Sequence, residues 1–169
     1  MIISIRPEEL ELAIKTTKEF DKVKTYNKFV CKNNYVGVLG EIVFDRFLSE
    51  HGVEHKWIDF IKDKQVFQKN IFKYPDFIID GVSYDIKTTH SRSMWFQKPI
   101  HDIYIYIFID FFNTKLNIVS YASKELLLAA IGSDAVREVV RGNRKDYVIE
   151  PKDMIPIEFL IGDEQKWTY

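Results

Sequence analysis

The chain has few of the devices that hold small secreted or membrane proteins together. A single cysteine, Cys31, occurs in 169 residues, so no disulfide can close within it, and no cysteine and histidine spacing typical of a structural zinc site is present. No run of about 18 apolar residues could span a bilayer as a helix, and Arg6, Glu8 and Glu9 break the opening apolar stretch before it could act as a secretory leader. These absences predict a soluble, cytoplasmic protein. Internal repeats and low-complexity segments are missing as well, which excludes a solenoid. Nor does one sign of charge dominate: 24 Lys+Arg against 25 Asp+Glu leaves a net charge of −1, which argues against indiscriminate coating of nucleic acid.

What is present is apolar bulk. At 46% hydrophobic residues the chain has ample core for one globular domain over residues 1–169. The balanced total conceals three locally basic runs: Lys15, Lys18, Lys22, Lys24, Lys28 and Lys32; Lys62, Lys64, Lys69 and Lys73; and Arg137, Arg141, Arg144 and Lys145. Each reads as a solvated face, or as a phosphate contact if the protein binds nucleic acid.

Pro7, with Glu8 and Glu9 beside it, suits a helix start, and the stripe Leu10, Ile14, Thr17 and Phe20 predicts a helix over 7–21. Val36, Leu39, Val43 and Phe47 predict a second over about 34–51, stopped by Gly52. Glu41 falls on the edge of its buried face. Gly37 and Gly40 each cost about 1 kcal/mol relative to alanine inside a helix. Either a sheet or substrate backbone approaches there, or the helix begins near Gly40.

A weak strand is expected at 55–61. Ile103 to Phe112 reads as a central strand covered on both faces, and Asn113-Thr114 turns the chain into a strand over Leu116 to Tyr121. Ser123 can cap a helix through about Ile131 closed by Gly132. A short helical stretch from Ser133 to Val140, a strand near Tyr147 to Ile149 and a turn led by Pro151 complete the expectation.

The most informative stretch is residues 74–89. Asp80-Gly81 between alternating apolar residues is a strong hairpin signal. With those two residues as the loop, Ile79 faces Val82, Ile78 faces Ser83, Phe77 faces Tyr84 and Asp76 faces Asp85. Opposed like charges destabilise a sheet, so something must offset them. Lys87 lies two residues beyond Asp85 on the same face, while Pro75, Phe77, Ile79, Val82, Tyr84 and Ile86 form an apolar opposite face. A one-residue slip in register would separate the two aspartates.

Pro75-Asp76 followed by Asp85-Ile86-Lys87, with Glu41 on an upstream helix and an apolar strand downstream, resembles the PD-(D/E)XK nuclease superfamily. Tyr121-Ala122-Ser123-Lys124-Glu125-Leu126 and Met154-Ile155-Pro156-Ile157 look like the tails of small phage or prokaryotic members. The resemblance implies an α/β (α+β) fold with a restriction-endonuclease-like core, a central mixed sheet of four to five strands flanked by helices. It also implies a Mg²⁺-dependent deoxyribonuclease, an endonuclease by preference, with Mn²⁺ able to substitute. Glu41, Asp76, Asp85 and Lys87 would be catalytic, and Asp76, Asp85, the carbonyl of Ile86 and Glu41 would hold the metal. DNA is the implied partner, a homodimer is compatible with the family, and no organic cofactor or membrane is called for.

The chemistry needs such residues. Phosphodiester hydrolysis must neutralise charge on an anionic phosphate and supply hydroxide near neutral pH, which a divalent ion held by carboxylates does. Lys87, next to two carboxylates, is expected to keep its proton, so it positions water and stabilises charge rather than acting as a base. The competing reading is an exposed ion pair decorating a hairpin, and a nuclease fold that no longer cuts, serving as a nucleic-acid-binding or regulatory subunit, is the alternative function. Arg92, Trp95, Gln97 and Lys98 just downstream combine cations, an aromatic ring and an amide as nucleic-acid contacts do; they also fit an ordinary polar loop with Trp95 and Phe96 buried beneath it. None of His51, His55, His90 and His101 is expected to be catalytic.

Overall fold

In a computed structural model, residues 1–21, 34–58 and 74–161 are described. Cys31, the lysines from Lys22 to Lys32, the run Lys62 to Lys73 and the expected continuation of a strand beyond Ile58 lie outside them.

The elements follow the order β1 (Ile2–Ser4), α1 (Pro7–Asp21), α2 (Asn34–Glu50), β2 (His55–Trp57), β3 (Phe77–Ile79), β4 (Val82–Thr89), β5 (Met94–Phe96), β6 (Ile103–Asp110), β7 (Lys115–Ser123), α3 (Lys124–Ala130), β8 (Val136–Arg141), β9 (Arg144–Ile149), β10 (Ile155–Pro156) and α4 (Ile157–Ile161). A 3₁₀ turn over Pro151–Asp153 precedes β10. The architecture is mixed α/β. Its main sheet has seven strands, β1-β7-β6-β4-β3-β2 with β10 also on β7, and a second sheet is built as β5-β9-β8. The expected four to five strands are therefore too few. The short pieces β1, β5 and β10, of two or three residues each, are below the length at which alternation can be read.

The hairpin forms as its turn dictates. Asp80 and Gly81 both take positive φ, 50° and 78°, as a two-residue turn matched to strand twist requires. The pairs are Ile79↔Val82, Ile78↔Ser83 and Phe77↔Tyr84. β4 then pairs in parallel with β6, placing Asp85 beside Tyr104 and Lys87 beside Tyr106.

Two apolar clusters cover the main sheet. Tyr84, Ile86, Ile105, Ile107 and Ile118 pack under α2 through Leu39, Val43 and Phe47. Tyr104, Tyr106 and Ala122 instead pack against α3 and the inner face of the small sheet, through Leu127, Met94, Phe96 and Ile149. Ile103–Asp110, running between β4 and β7, is the middle strand expected of an almost wholly apolar run. α2 includes both Gly37 and Gly40, and Gly40 has a reason: an added Cβ would lie 1.7 Å from Thr88 Oγ1 on β4. Among the described residues nothing lies within 4 Å of a Cβ at Gly37.

One element is corrected. Val136–Arg141 is a strand, not a helix. Its β-branched Val136, Val139 and Val140 favour extended backbone, and Gly142-Asn143 closes a two-residue hairpin in which Arg141 pairs with Arg144 and Gly142 takes φ 62°. The Ser123 cap formed as expected, its side chain accepting from the Leu126 N–H.

Candidate metal and catalytic site

Strand pairing ends at Phe77↔Tyr84, and this sets the geometry of the acidic cluster. The Asp76 N–H donates to the Tyr84 carbonyl at 2.9 Å, and its own carbonyl accepts from the Ile58 N–H at 2.9 Å, so the backbone of Asp76 is stitched to strands on both sides. Asp76 and Asp85 are therefore not a regular cross-strand pair. Instead, Asp76 Oδ2 accepts the Ile86 N–H at 2.6 Å, standing in for the backbone that a longer β3 would have supplied. In a strand the N–H and C=O of one residue point to the same edge, so the Ile86 carbonyl faces the edge where Asp76 sits.

Asp85 is buried and holds Lys87 Nζ at 2.5 Å, the lysine side chain keeping about a third of its surface exposed (33%). Glu41 comes from the opposite layer, on α2, and receives a hydrogen bond from Trp57 Nε1 at 3.4 Å. These four residues act on one another electrostatically. Burial first, then the charges of Glu41 and Asp85, push the Asp76 carboxyl well above the usual carboxylate range, against the pull of Lys87 and the Ile86 N–H. For Lys87, burial pulls downward, but Asp85 and Asp76 outweigh it and hold the ammonium above its ordinary value.

His101 and Tyr104 also border the site. His101 is buried and its pKa is lowered, by desolvation first, with the charges of Asp85 and Lys87 acting on it in opposite senses. Tyr104 is the parallel neighbour of Asp85 and its hydroxyl accepts the N–H groups of Ile100 and His101 at 2.9 and 3.2 Å. Only the parallel register of β4 and β6 brings them in, and that pairing has no signature at the level of spacing.

The four downstream candidates lie elsewhere. Trp95 is in β5, Arg92 precedes that strand, and Gln97 and Lys98 follow it; all but the half-buried Trp95 are exposed. They belong to the small sheet and its connections rather than to the acidic cluster.

The donors gathered here are oxygens, the type that magnesium and manganese take. Among the described residues, no three His, Cys, Asp or Glu side chains stand together as a ready metal-binding group. Magnesium usually needs only one or two carboxylates beside waters and substrate phosphate, and Asp76 and Asp85 carry oxygens of the type it takes. No helix among the described residues is long and apolar enough to cross a membrane. No protein-family model matches the chain, and no curated protein matches it.

Proposed function

We propose that the protein is a metal-dependent nuclease of the PD-(D/E)XK type, with a restriction-endonuclease-like core, that hydrolyses phosphodiester bonds of DNA. The observation that carries the reading is the environment of Asp76: a buried carboxyl that accepts the Ile86 N–H, raised first by its burial and then by the charges of Glu41 and Asp85, with Lys87 as its cationic neighbour. Buried acids whose charges oppose one another cost a fold stability, and groups perturbed in this way concentrate at functional sites.

Asp76, Asp85 and the Ile86 carbonyl would hold Mg²⁺ or Mn²⁺, with Glu41 reaching it directly or through water. The ion, when bound, supplies charge neutralisation at the phosphate and hydroxide near neutral pH. Lys87 remains protonated, because its carboxylate neighbours outweigh its burial. It therefore donates hydrogen bonds to the attacking water or a phosphate oxygen and stabilises growing negative charge, but does not remove a proton. Asp85 orients that ammonium through its 2.5 Å contact. Asp76 is in turn fixed by the Ile86 N–H, so the acids and the lysine are held by the same stretch of β4.

A second reading has an observation in its favour. The Asp85–Lys87 and Asp76–Ile86 contacts engage carboxylate oxygens that a metal would use, as expected of a nuclease fold retained as a nucleic-acid-binding or regulatory subunit. Incubation of supercoiled, linear, single-stranded, flapped and four-way-junction DNA, and of RNA, with Mg²⁺ or Mn²⁺ separates the two. Metal-dependent cleavage of DNA is expected. A wild-type chain that cuts none of them and takes up no divalent ion in calorimetry would overturn the nuclease reading.

A further inference from the structure

The set Arg92, Trp95, Gln97 and Lys98 and the basic run from Arg137 to Lys145, some 40 residues apart in sequence, meet at the small sheet. β5 pairs with β9 through Trp95↔Val148, and β9 pairs with β8 through Val148↔Arg137, so Trp95, Val148 and Arg137 form one row across three strands. Alternation along β8 puts Val139 and Arg141 on the face of Arg137. The inner face is apolar where it meets the main sheet: Met94, Phe96, Val136 and Ile149 are buried against Tyr104 and Tyr106. The outer face therefore carries Trp95, Arg137 and Arg141, both arginines exposed.

The Arg141 guanidinium lies over the Trp95 ring, 4.6 Å from its centroid. Such stacking orients the planar fork and leaves its N–H groups free to point outward, so less rotamer entropy is lost when an anion binds. Among the described residues no carboxylate pairs with Arg137 or Arg141; Lys145 and Glu138, on the other face, pair with each other at 2.9 Å. The acid that register puts on the outer face, Asp146, is buried and has an interaction of its own. Arg92 and Lys98 are exposed near the two ends of β5.

The sheet is also well placed. It leaves β4 through a loop whose Ser91 carbonyl accepts from the Tyr106 hydroxyl at 2.7 Å. It packs on the face of the main sheet to which Tyr104 and Tyr106 belong, the residues in register with Asp85 and Lys87.

We propose that the outer face of the β5-β9-β8 sheet docks duplex DNA by its phosphate backbone, Arg137 and Arg141 contacting phosphates and Trp95 holding Arg141 in place. The choice of DNA rests on the nuclease reading; the choice of a polyanion rests on the Arg141 guanidinium stacked on Trp95 with the exposed Arg137 on the same face, neither paired with a carboxylate among the described residues. Each phosphate contact contributes about 0.9 to the slope of log affinity against log salt on duplex DNA.

The test uses the full chain in EDTA, which prevents cutting, and fluorescence anisotropy of a labelled 20-base-pair duplex between 50 and 200 mM KCl. Arg137→Gln/Arg141→Gln is expected to weaken binding about tenfold or more and to lower the salt slope by about 2, with the thermal midpoint unchanged. Trp95→Leu is expected to weaken it less, and Asp85→Asn to bind at least as tightly as wild type. Unchanged affinity and slope in the double arginine variant would overturn the docking surface even if wild type cuts DNA. Aggregation of that variant with unchanged affinity would do the same, showing that the arginines merely guard an edge strand. Tighter binding of an RNA duplex of the same sequence would overturn the assignment to DNA. Arginine-dependent binding by a chain that never cuts would keep the docking surface and remove the nuclease reading.

Discussion

Replacing Gly40 by alanine puts a methyl group where Thr88 already stands. The new carbon would lie 1.7 Å from Thr88 Oγ1, 2.7 Å from its Cβ and 3.0 Å from its Cγ2. Rotation about χ1 can move Oγ1 and Cγ2, but Cβ is fixed to the backbone of β4, so α2 and β4 must separate by about 1 Å to reach ordinary contact. Overpacking of this kind costs about 1–3 kcal/mol, the upper end being expected where backbone must yield, while alanine returns about 1 kcal/mol of helix propensity. A net loss of about 2 kcal/mol follows, or about 4–8 °C in Tm for a chain of this size. Gly37→Ala, one turn earlier with nothing among the described residues within 4 Å, is the control. It should gain up to about 1 kcal/mol. Urea denaturation followed by circular dichroism measures both, the midpoint moving at constant m. Because α2 carries Glu41 and β4 carries Asp85 and Lys87, Gly40→Ala should also weaken divalent binding while Gly37→Ala should not. A Gly40→Ala protein as stable as wild type would refute the close helix–sheet approach.

Other consequences can be checked alongside it. Among the described residues the buried Thr88 hydroxyl has no hydrogen-bond partner, so Thr88→Val should stabilise the fold by about 1 kcal/mol in the same denaturation assay. Arg46 Nε is bound to the buried Glu9 at 2.5 Å and its NH2 to the Ser4 carbonyl at 2.8 Å; Arg46→Ala should cost about 3 kcal/mol, against less than about 1 for Glu50→Gln on the exposed side of the same cluster. A carboxyl raised in the folded state, as Asp76 is, favours the fold below the ordinary carboxylate pKa and loses that contribution as pH rises through its folded value. Asp76→Asn, which keeps an acceptor for the Ile86 N–H, should therefore stabilise the metal-free protein increasingly as pH rises above about 4, and melting curves at several pH values read the difference. Added Mg²⁺ should reverse that order by stabilising wild type more than the variant.

Local turn chemistry made the hairpin legible. Asp80-Gly81 admits positive φ at both positions, and that alone sets Phe77 against Tyr84 and Ile79 against Val82. Helices were legible for a similar reason, since Pro7, Gly52 and Ser123 mark ends through their own backbone or side-chain chemistry. The stretch from Ser133 to Val140 does not show itself as a strand, because Val136, Val139 and Val140 recur at three and four residues as in a helix, and it is the Gly142-Asn143 turn that distinguishes the two. Asp76 lies just before β3 rather than on it, and spacing alone does not show that. Where a ladder stops depends on the tertiary environment, and the stop after Phe77 turns a cross-strand neighbour into an acceptor for Ile86. The stacking of Arg141 on Trp95 could not be read at all, because the strand that joins them, β9, lies between them only in space.

The central claim is that Asp85 and Lys87 serve a phosphodiester-cleaving centre. It is tested most directly by the single-turnover rate of Mg²⁺-dependent DNA cleavage for wild type, Asp85→Asn and Lys87→Ala, each first shown to be folded. Cleavage by wild type is expected, with a loss of about 100-fold or more in each variant, the scale on which a group that stabilises transition-state charge contributes. Variants that cut as fast as wild type, or a wild type that does not cut with Mg²⁺ or Mn²⁺, would contradict it.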